Sequence, residues 1–280
     1  MQIEIGARTD VGRLRTNNED NFKVVPELNL FVLSDGMGGE AHGEVASSMV
    51  VEGVAEHCRE SLSNSAFPLL APARPELTER TNRLVSALVA ANQRIYETAA
   101  ANAAQRGMGA TVVTAWVDQE RLCVAHVGDS RIYMLRAGEL SQITQDHSLV
   151  AEQVRRGVLT QQQAEESEMA SVLTRAMGVE AEVEVDADEH ILLDGDSILM
   201  CSDGLCRMVS DVEIASTLLT THGPAQASVD RLIQMANDNG GADNITIILL
   251  RFSKRSEGIF ARIWQWLTSP VDSTPPERCN

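Results

Sequence analysis

Residues 28–39 contain a short apolar run, Leu28 to Leu33, that leads directly into Ser34-Asp35-Gly36-Met37-Gly38-Gly39. The apolar run predicts a buried strand that ends at Asp35, and the glycines predict a tight turn behind it. Four further carboxylate motifs stand beside Gly, Ser or Asn, most of them after a predicted strand: Arg15-Thr16-Asn17-Asn18-Glu19-Asp20, Val127-Gly128-Asp129-Ser130-Arg131, Ser202-Asp203-Gly204-Leu205 and Ala242-Asp243-Asn244-Ile245-Thr246. A single Asp-Gly is only a turn, but acidic motifs at several strand ends indicate carboxylates gathered in space. Such a cluster needs cations, and its oxygen ligands suit Mg2+ or Mn2+.

The composition is that of an acidic globular protein. The 280 residues are 44% hydrophobic, enough for one large domain or two small ones. Asp and Glu outnumber Lys and Arg 40 to 23, a net charge of −17, which argues against nucleic acid or an anionic membrane as the main partner. The five cysteines show neither a paired framework nor a zinc spacing. Without a signal-like start or an apolar run of roughly 20 residues, a cytoplasmic enzyme with reduced thiols is favoured.

The predicted elements form a strand-rich chain with two pairs of helices. Strands are predicted at residues 2–9, 22–25, 28–33, 111–117, 121–127, 131–136, 139–144, 182–191, 197–201 and 245–252, and helices at 44–62, 76–105, 211–220 and 224–239. Residues 146–178 are polar and poor in large apolar side chains, which predicts a mobile insertion at the edge of the core. This order favours an α+β fold with one sheet packed on another.

In their order and spacing, the acidic motifs resemble those of the bacterial branch of the PP2C-like, or PPM, family of metal-dependent serine/threonine protein phosphatases. The resemblance covers roughly residues 4 to 252. It implies an αββα sandwich of two antiparallel sheets flanked by helix pairs, with the metal site at one end and the polar insertion as a flap. We therefore assign residues 1–253 to a phosphatase domain, with the flap at about 146–178, and residues 254–280 to a C-terminal extension.

The resemblance also implies a metal centre that holds two or three Mn2+ or Mg2+ ions. Asp35 would bridge two ions and hold the nucleophilic water between them, and the Gly36 carbonyl would join the second ion. Asp203 and Asp243 would complete the first site. Two hard cations that share a carboxylate lower the pKa of a bridging water. Phosphate would then be removed by direct hydrolysis, without a phosphoenzyme.

Four more residues have an implied role at this centre. Asp129 would join Asp203 in holding a third, weaker ion, and Glu19 and Asp20 would lie at the second ion, through waters. Arg15 matches the phosphate-binding arginine of the family, and its planar guanidinium offers a bidentate grip on two phosphoryl oxygens.

The proton donor to the leaving group stays open at this point. Met37 occupies the place of a histidine that is proposed as general acid in eukaryotic relatives, and bacterial relatives commonly have Met there too. A metal-bound water is favoured as donor over His42, which can equally be the first residue of a helix with no chemical role. Anchoring of the flap by hydrogen bonds is predicted for His147, support of the flap's return to the sheet for Arg175, and ordering of the loop that holds Asp243 for Asn244.

Other classes fit the sequence less well. A cysteine-dependent phosphatase would need an arginine six positions after Cys58, where Asn64 stands, and a two-metal nuclease would need a basic track. The strongest alternative is a catalytically silent phosphoprotein-binding module, which would keep the fold and lose a metal ligand. The chain retains the four aspartates Asp35, Asp129, Asp203 and Asp243.

The predicted partners are phosphorylated proteins, among them a bacterial Ser/Thr kinase that the phosphatase opposes, with basic residues near the phosphate because the enzyme is acidic. A monomer is favoured. The extension carries an apolar stripe with Ile259, Trp264 and Leu267, for which packing on the domain or a dimer, a partner-protein contact and a membrane-surface contact all stay open. The tail beyond Pro270 is predicted to be disordered.

Overall fold

The structure, a computed structural model, describes residues 1–38, 42–64 and 66–254, apart from the side chain of Glu165. The predicted helix and tail of the C-terminal extension at 255–280 therefore lie outside the described residues. Among the described residues, no helix is both long enough and apolar enough to cross a membrane.

The strands form two antiparallel sheets. The first contains β1 (Gln2–Asp10), β7 (Arg131–Arg136), β8 (Glu139–Gln142), β10 (Ser197–Cys201) and β11 (Ile245–Ser253), in the order β1-β11-β10-β7-β8. The second contains β2 (Asp20–Val25), β3 (Leu30–Met37), β5 (Val112–Asp118), β6 (Arg121–Val127) and β9 (Asp186–Ile191), in the order β2-β3-β5-β6-β9, with the short β4 (Gly109–Ala110) paired to the end of β3.

Helices cover the outer face of each sheet. The long helices α1 (His42–Ser63) and α2 (Glu79–Ala101) pack on the second sheet, and α6 (Asp211–Thr220) and α7 (Ala225–Asp238) pack on the first. Three shorter helices are α3 (Leu149–Arg155), α4 (Gln161–Glu165) and α5 (Asp203–Cys206). This arrangement confirms the predicted αββα sandwich of two antiparallel sheets flanked by helix pairs.

The central strands are apolar on both faces because each lies between a helix layer and the other sheet. In β11, Ile247 and Leu249 join the core beneath α6 and α7, whereas Ile248 and Leu250 join the core between the sheets. Successive residues of a strand point to opposite faces, so a doubly covered strand must be apolar throughout. At about 1.5–3 kcal/mol per buried large apolar side chain, these layers are the main source of stability.

Several predicted boundaries were wrong, each for a local reason. The second helix begins at Glu79 because the Thr78 hydroxyl accepts a hydrogen bond from the Thr81 N–H and caps the helix. It ends at Ala101, since Asn102 is extended. The third strand begins only at Leu30, because residues 26–28 form a 3-10 turn and Asn29 adopts a left-handed conformation.

The polar insertion contains two short helices, α3 and α4, that were not predicted. Ser148 caps α3, and Thr160 forms a capping box with Gln163 at the start of α4. Isolated bridges connect Ser148 with Leu173 and Met177 with Ala110. The insertion is therefore attached to the core at its base.

Candidate metal and phosphate site

Acidic residues from both sheets meet at one end of the sandwich. Asp20 at the start of β2 and Asp35 near the end of β3 are register partners in the second sheet. In the first sheet, Asp203 lies two residues after the end of β10 and Asp243 two residues before the start of β11. These two strands pair with Cys201 opposite Ile247. Alternating strand directions thus bring the predicted ligands to a common edge.

Hydrogen bonds connect the two sheets at this edge. The Ser202 hydroxyl donates to Asp20 Oδ2 at 2.8 Å. The Asn244 Oδ1 accepts from the Glu19 N–H at 2.8 Å, and its Nδ2 donates to the carbonyl oxygens of Val11 at 3.0 Å and Asn17 at 2.9 Å. The predicted ordering role of Asn244 is confirmed, since its side chain joins the Asp243 loop to the segment that precedes Asp20.

The aspartates of the cluster disfavour one another's ionisation. Burial raises the pKa of Asp20 to about 7, and the charges of Asp203 and Asp243 add to the effect, against hydrogen bonds from Thr246 and Ser202. Burial and the charge of Asp20 hold the pKa of Asp35 well above its usual range. Burial likewise raises the pKa of Asp203, although Arg207 acts in the opposite direction. A site that concentrates buried negative charge in this way favours cations.

Two oxygens in the cluster are chemically unsatisfied. Within the described ranges, Oδ1 of Asp20 and Oδ1 of Asp203 are buried and have no hydrogen-bond partner. Buried polar atoms are nearly always paired, so an orphaned carboxylate oxygen indicates a ligand position. Carboxylate oxygens are the donors that Mg2+ and Mn2+ prefer. The residues present therefore fit divalent ions of this class.

Two arginines partly neutralise the cluster from its rim. Arg15 Nη2 lies 2.8 Å from Asp243 Oδ2, and its side chain is 52% exposed. Arg207, directly after α5, lies 2.6 Å from Asp203 Oδ2 and 4.0 Å from Asp243 Oδ2. Arg207 was missed by the sequence analysis, which predicted no helix at residues 203–206; an arginine four residues after an aspartate was the available signal.

Comparison with known proteins decides the family. The family Protein phosphatase 2C matches residues 13–249. The chain belongs to the protein phosphatase 2C family. As a member, it is a metal-dependent serine/threonine protein phosphatase, and the resemblance of its motifs is confirmed.

The relatives of the phosphatase match it over most of its length. The chain is 35% identical over 254 residues to "Serine/threonine phosphatase stp" of Listeria monocytogenes serovar 1/2a, which covers 90% of this chain and 96% of that protein. The Mycobacterium tuberculosis serine/threonine phosphatase PstP/Ppp superposes with a TM-score of 0.78 at 34% identity, over 90% of this chain and 99% of that one. A structure of the PstP catalytic domain in complex with two manganese ions gives a TM-score of 0.76, also at 34% identity and over the same shares of the two chains.

Glycines let backbone segments of the phosphatase approach the centre closely. The Gly36 N–H donates to the Glu19 carbonyl at 3.1 Å, and a Cβ on Gly36 would overlap the backbone of Gly43 in α1. Met37 ends β3 and pairs with Gly109, and His42 is the first residue of α1. The structure thus confirms the helix-start position of His42.

Asp129 is held on a separate loop between β6 and β7. Burial raises its pKa to about 7, and the charge of Asp203 contributes next. Its neighbour Ser130 shares a hydrogen bond of 2.7 Å with the Thr111 hydroxyl, and Thr111 donates its N–H to the Asp35 carbonyl at 2.8 Å. Thr111 therefore connects the Asp129 loop with the strand that carries Asp35. No local sequence motif predicted this contact.

The flap is fastened to this loop through His147. The Gly128 N–H donates to His147 Nδ1 at 3.0 Å, and the His147 N–H donates to the Gly128 carbonyl at 3.0 Å. On the other side of the ring, Nε2 lies 3.2 Å from Asp186 Oδ2. Arg175 donates to Asp186 Oδ1 at 2.6 Å and to the Glu184 carbonyl at 3.1 Å. The predicted anchoring role of His147 is confirmed, and so is the support that Arg175 gives where the flap returns to the sheet at β9.

This anchor also contains a compact group of metal-ligand residue types. Atoms of His126, His147 and Asp186 lie within 4.8 Å of one another. However, both nitrogens of His147 already have partners, and Arg175 places a positive charge on Asp186. Hydrogen bonds from His147 and Arg175 hold the pKa of Asp186 well below its usual range. The group is thus a structural support of the flap, because the positive charge beside Asp186 comes from Arg175.

Proposed function

We propose that this phosphatase hydrolyses phosphoserine and phosphothreonine of proteins by direct attack of water at the acidic cluster. The observation that carries the proposal is the pair of orphaned buried oxygens on Asp20 and Asp203, at the edge where the two sheets meet. Such an arrangement has no use in packing and costs folding free energy, so it supports a site kept for ligand binding.

We assign the metal ligands by their place in the cluster. Asp35, the Gly36 carbonyl, Asp203 and Asp243 would hold two Mn2+ or Mg2+ ions, with Glu19 and Asp20 acting through waters. Asp129, on its own loop near Asp203, would hold a third ion together with Asp203. When bound, such ions acidify a shared water and neutralise charge on the phosphoryl oxygens.

The second role belongs to Arg15. Its guanidinium lies at the exposed rim of the cluster and donates to Asp243. A planar guanidinium presents paired N–H donors to two phosphoryl oxygens, so Arg15 would orient the phosphate over the acidic cluster. Its exposure supports this assignment, because a substrate can reach it.

A cysteine nucleophile plays no part in this mechanism. Cys58, the one candidate that the sequence raised, is buried within α1. Burial raises its pKa strongly, so the reactive thiolate is disfavoured. This excludes Cys58 as the nucleophile and supports the proposed attack by water.

The biological setting is proposed on broader grounds. Residues 1–253 would form one phosphatase domain, active as a monomer in the cytoplasm and opposing a Ser/Thr kinase. The four described cysteines, Cys58, Cys123, Cys201 and Cys206, are free thiols, which suits a reducing compartment. A net charge of −17 favours substrates with basic residues beside the phosphate.

Hydrolysis of a phosphothreonine peptide with Mn2+, with Mg2+ and with chelator tests the proposal. We expect metal-dependent turnover that Asp203→Asn abolishes. Asp230→Asn, a half-exposed aspartate paired with Arg8 on the surface, should leave turnover unchanged. If the folded wild type binds the phosphopeptide but hydrolyses it neither with Mn2+ nor with Mg2+, the protein is instead the silent phosphoprotein-binding module.

A further inference from the structure

Two cysteines that the sequence spacing did not pair lie side by side next to the acidic cluster. The Sγ atoms of Cys201 and Cys206 are 3.4 Å apart, and both thiols are free. Cys201 is the last residue of β10, and Cys206 is the last residue of α5. Asp203, a ligand under the proposed function, lies between them in the chain.

The two thiols differ in their surroundings. Cys201 is fully buried, whereas Cys206 is partly exposed. The Tyr133 hydroxyl lies 3.6 Å from Cys206 Sγ and 3.0 Å from Asp211 Oδ1, and Arg131 Nη1 donates to that hydroxyl at 3.0 Å. A hydrogen bond from the Cys201 thiol, and then the charge of Arg131, lower the pKa of Cys206 against the effect of burial. Thiols in such partly exposed, cation-flanked positions are the reactive ones.

We propose that Cys206 and Cys201 are an oxidative modification site that closes to a disulfide on exposure to a hydroperoxide. The Cys206 thiol loses its proton and attacks one peroxide oxygen, so that an S–O bond forms and the O–O bond breaks. The other oxygen takes up a proton and leaves as an alcohol or water. Cys201 then attacks the Cys206 sulfenic acid, an S–S bond forms, and hydroxide leaves with the Cys201 proton as water. The two thiols are oxidised by two electrons, and the hydroperoxide is reduced by two.

The bond would disturb the acidic cluster. An S–S bond is about 2.05 Å long, so the sulfur atoms must approach, and we infer that α5 moves with Cys206 toward the end of β10. A Cβ on Gly204 would overlap the Asn244 carbonyl oxygen, which shows how closely α5 packs on the loop of Asp243. Movement of α5 therefore displaces Asp203 relative to Asp243. Resting on the proposed function, this predicts a fall in turnover of roughly tenfold to a hundredfold.

The experiment exposes the Mn2+-loaded full chain to hydrogen peroxide, removes the oxidant with catalase and blocks remaining thiols with an alkylating reagent. A Cys279→Ser background removes the cysteine that lies outside the described residues. Peptide mapping should show one Cys201–Cys206 disulfide and a loss of two hydrogens. Turnover of the phosphopeptide should fall and return with dithiothreitol.

Two variants make the result specific. Cys206→Ser should keep basal turnover and resist the oxidant, whereas Cys58→Ala, which removes a thiol buried in α1, should respond as the wild type does. Sulfinic acid at Cys206 without a disulfide, or equal inactivation of Cys206→Ser, would overturn the proposal. Peptide mapping does not depend on phosphatase activity. The absence of a disulfide and the absence of phosphatase turnover are therefore detected separately. If the disulfide forms and the measured turnover stays unchanged, the predicted inhibition by the disulfide is wrong.

Discussion

Asp20 and Asp35 stand opposite each other as register partners on adjacent antiparallel strands, and their carboxylates repel each other in a buried environment. Asp20 is only 4% exposed, and one of its oxygens lacks a hydrogen-bond partner in the described part of the chain. Like charges directly across a strand pair destabilise a sheet. We attribute this cost to the proposed metal centre, and the first prediction measures it.

In chelator, the folded phosphatase should lose stability as the pH rises from about 4 to about 7. The pKa of Asp20 rises from 3.8 to about 7 on folding, so the folded chain keeps a proton that the unfolded chain releases in this window. Asp20→Asn should be more stable than the wild type at pH 7, by on the order of 1–3 kcal/mol. Urea unfolding at several pH values measures the difference, and an equally steep fall in Asp20→Asn would contradict it. Asp230→Asn is the surface control.

Arg15→Ala should lower kcat/KM for a phosphopeptide by roughly tenfold to a hundredfold, because charge-assisted hydrogen bonds to the phosphate are lost. Arg15→Lys should recover only part of the loss, since an ammonium cannot grip two oxygens in one plane. Steady-state kinetics and a Mn2+ titration on the same samples separate the roles. If Arg15→Ala instead weakens Mn2+ binding and leaves KM unchanged, the arginine serves Asp243 and not the phosphate.

Arg207→Gln should bind Mn2+ more tightly, by roughly threefold to tenfold, because a positive charge next to Asp203 and Asp243 opposes a bound cation. The same variant should be less stable in chelator, because it loses one of the positive charges that offset the repulsion of the two carboxylates. Calorimetric titration measures the affinity. Arg94→Gln, whose partner Glu56 lies on an exposed helix surface, is the control. Weaker Mn2+ binding in Arg207→Gln would mean that the arginine orients its carboxylates.

His147→Ala should lower the unfolding free energy by about 1–3 kcal/mol, because the Gly128 N–H loses its buried acceptor. Hydrogen exchange should also become faster in residues 146–178, whose base is fastened through this ring. Exchange followed by mass spectrometry measures both effects, with the exposed His222→Ala as the reference. Unchanged exchange in the flap would show that Arg175 and the strand bridges suffice as its anchor.

The sequence contained the order of the elements because each central strand is apolar along its whole length and each long helix has an apolar stripe. It also contained the acidic ligand set, because every candidate lies near the end of a strand or in the turn next to it. Capping at Thr78 and Thr160 was readable from residue types, yet the predicted boundaries did not use it. The two helices of the flap were missed because the capping residues were not used and because their polar composition shows no apolar stripe.

The remaining parts of the site depend on contacts between distant residues. Ser202 donates to Asp20 across 182 positions of sequence, and Thr111 bonds Asp35 and Ser130 at the junction of three strands. The approach of Cys206 to Cys201 likewise requires the turn that carries Asp203. Such contacts follow from the packing of one sheet on another, and periodicity along a single strand contains no information about them.

The central claim is that the acidic edge binds two ions that share Asp35. Electron paramagnetic resonance of the phosphatase during a Mn2+ titration tests it directly, because two ions that share a carboxylate become magnetically coupled. We predict at least two Mn2+ per chain and a coupled signal that Asp35→Asn removes, while Asp230→Asn keeps it. Binding of a single uncoupled ion, or a coupled signal that survives in Asp35→Asn, would contradict the account.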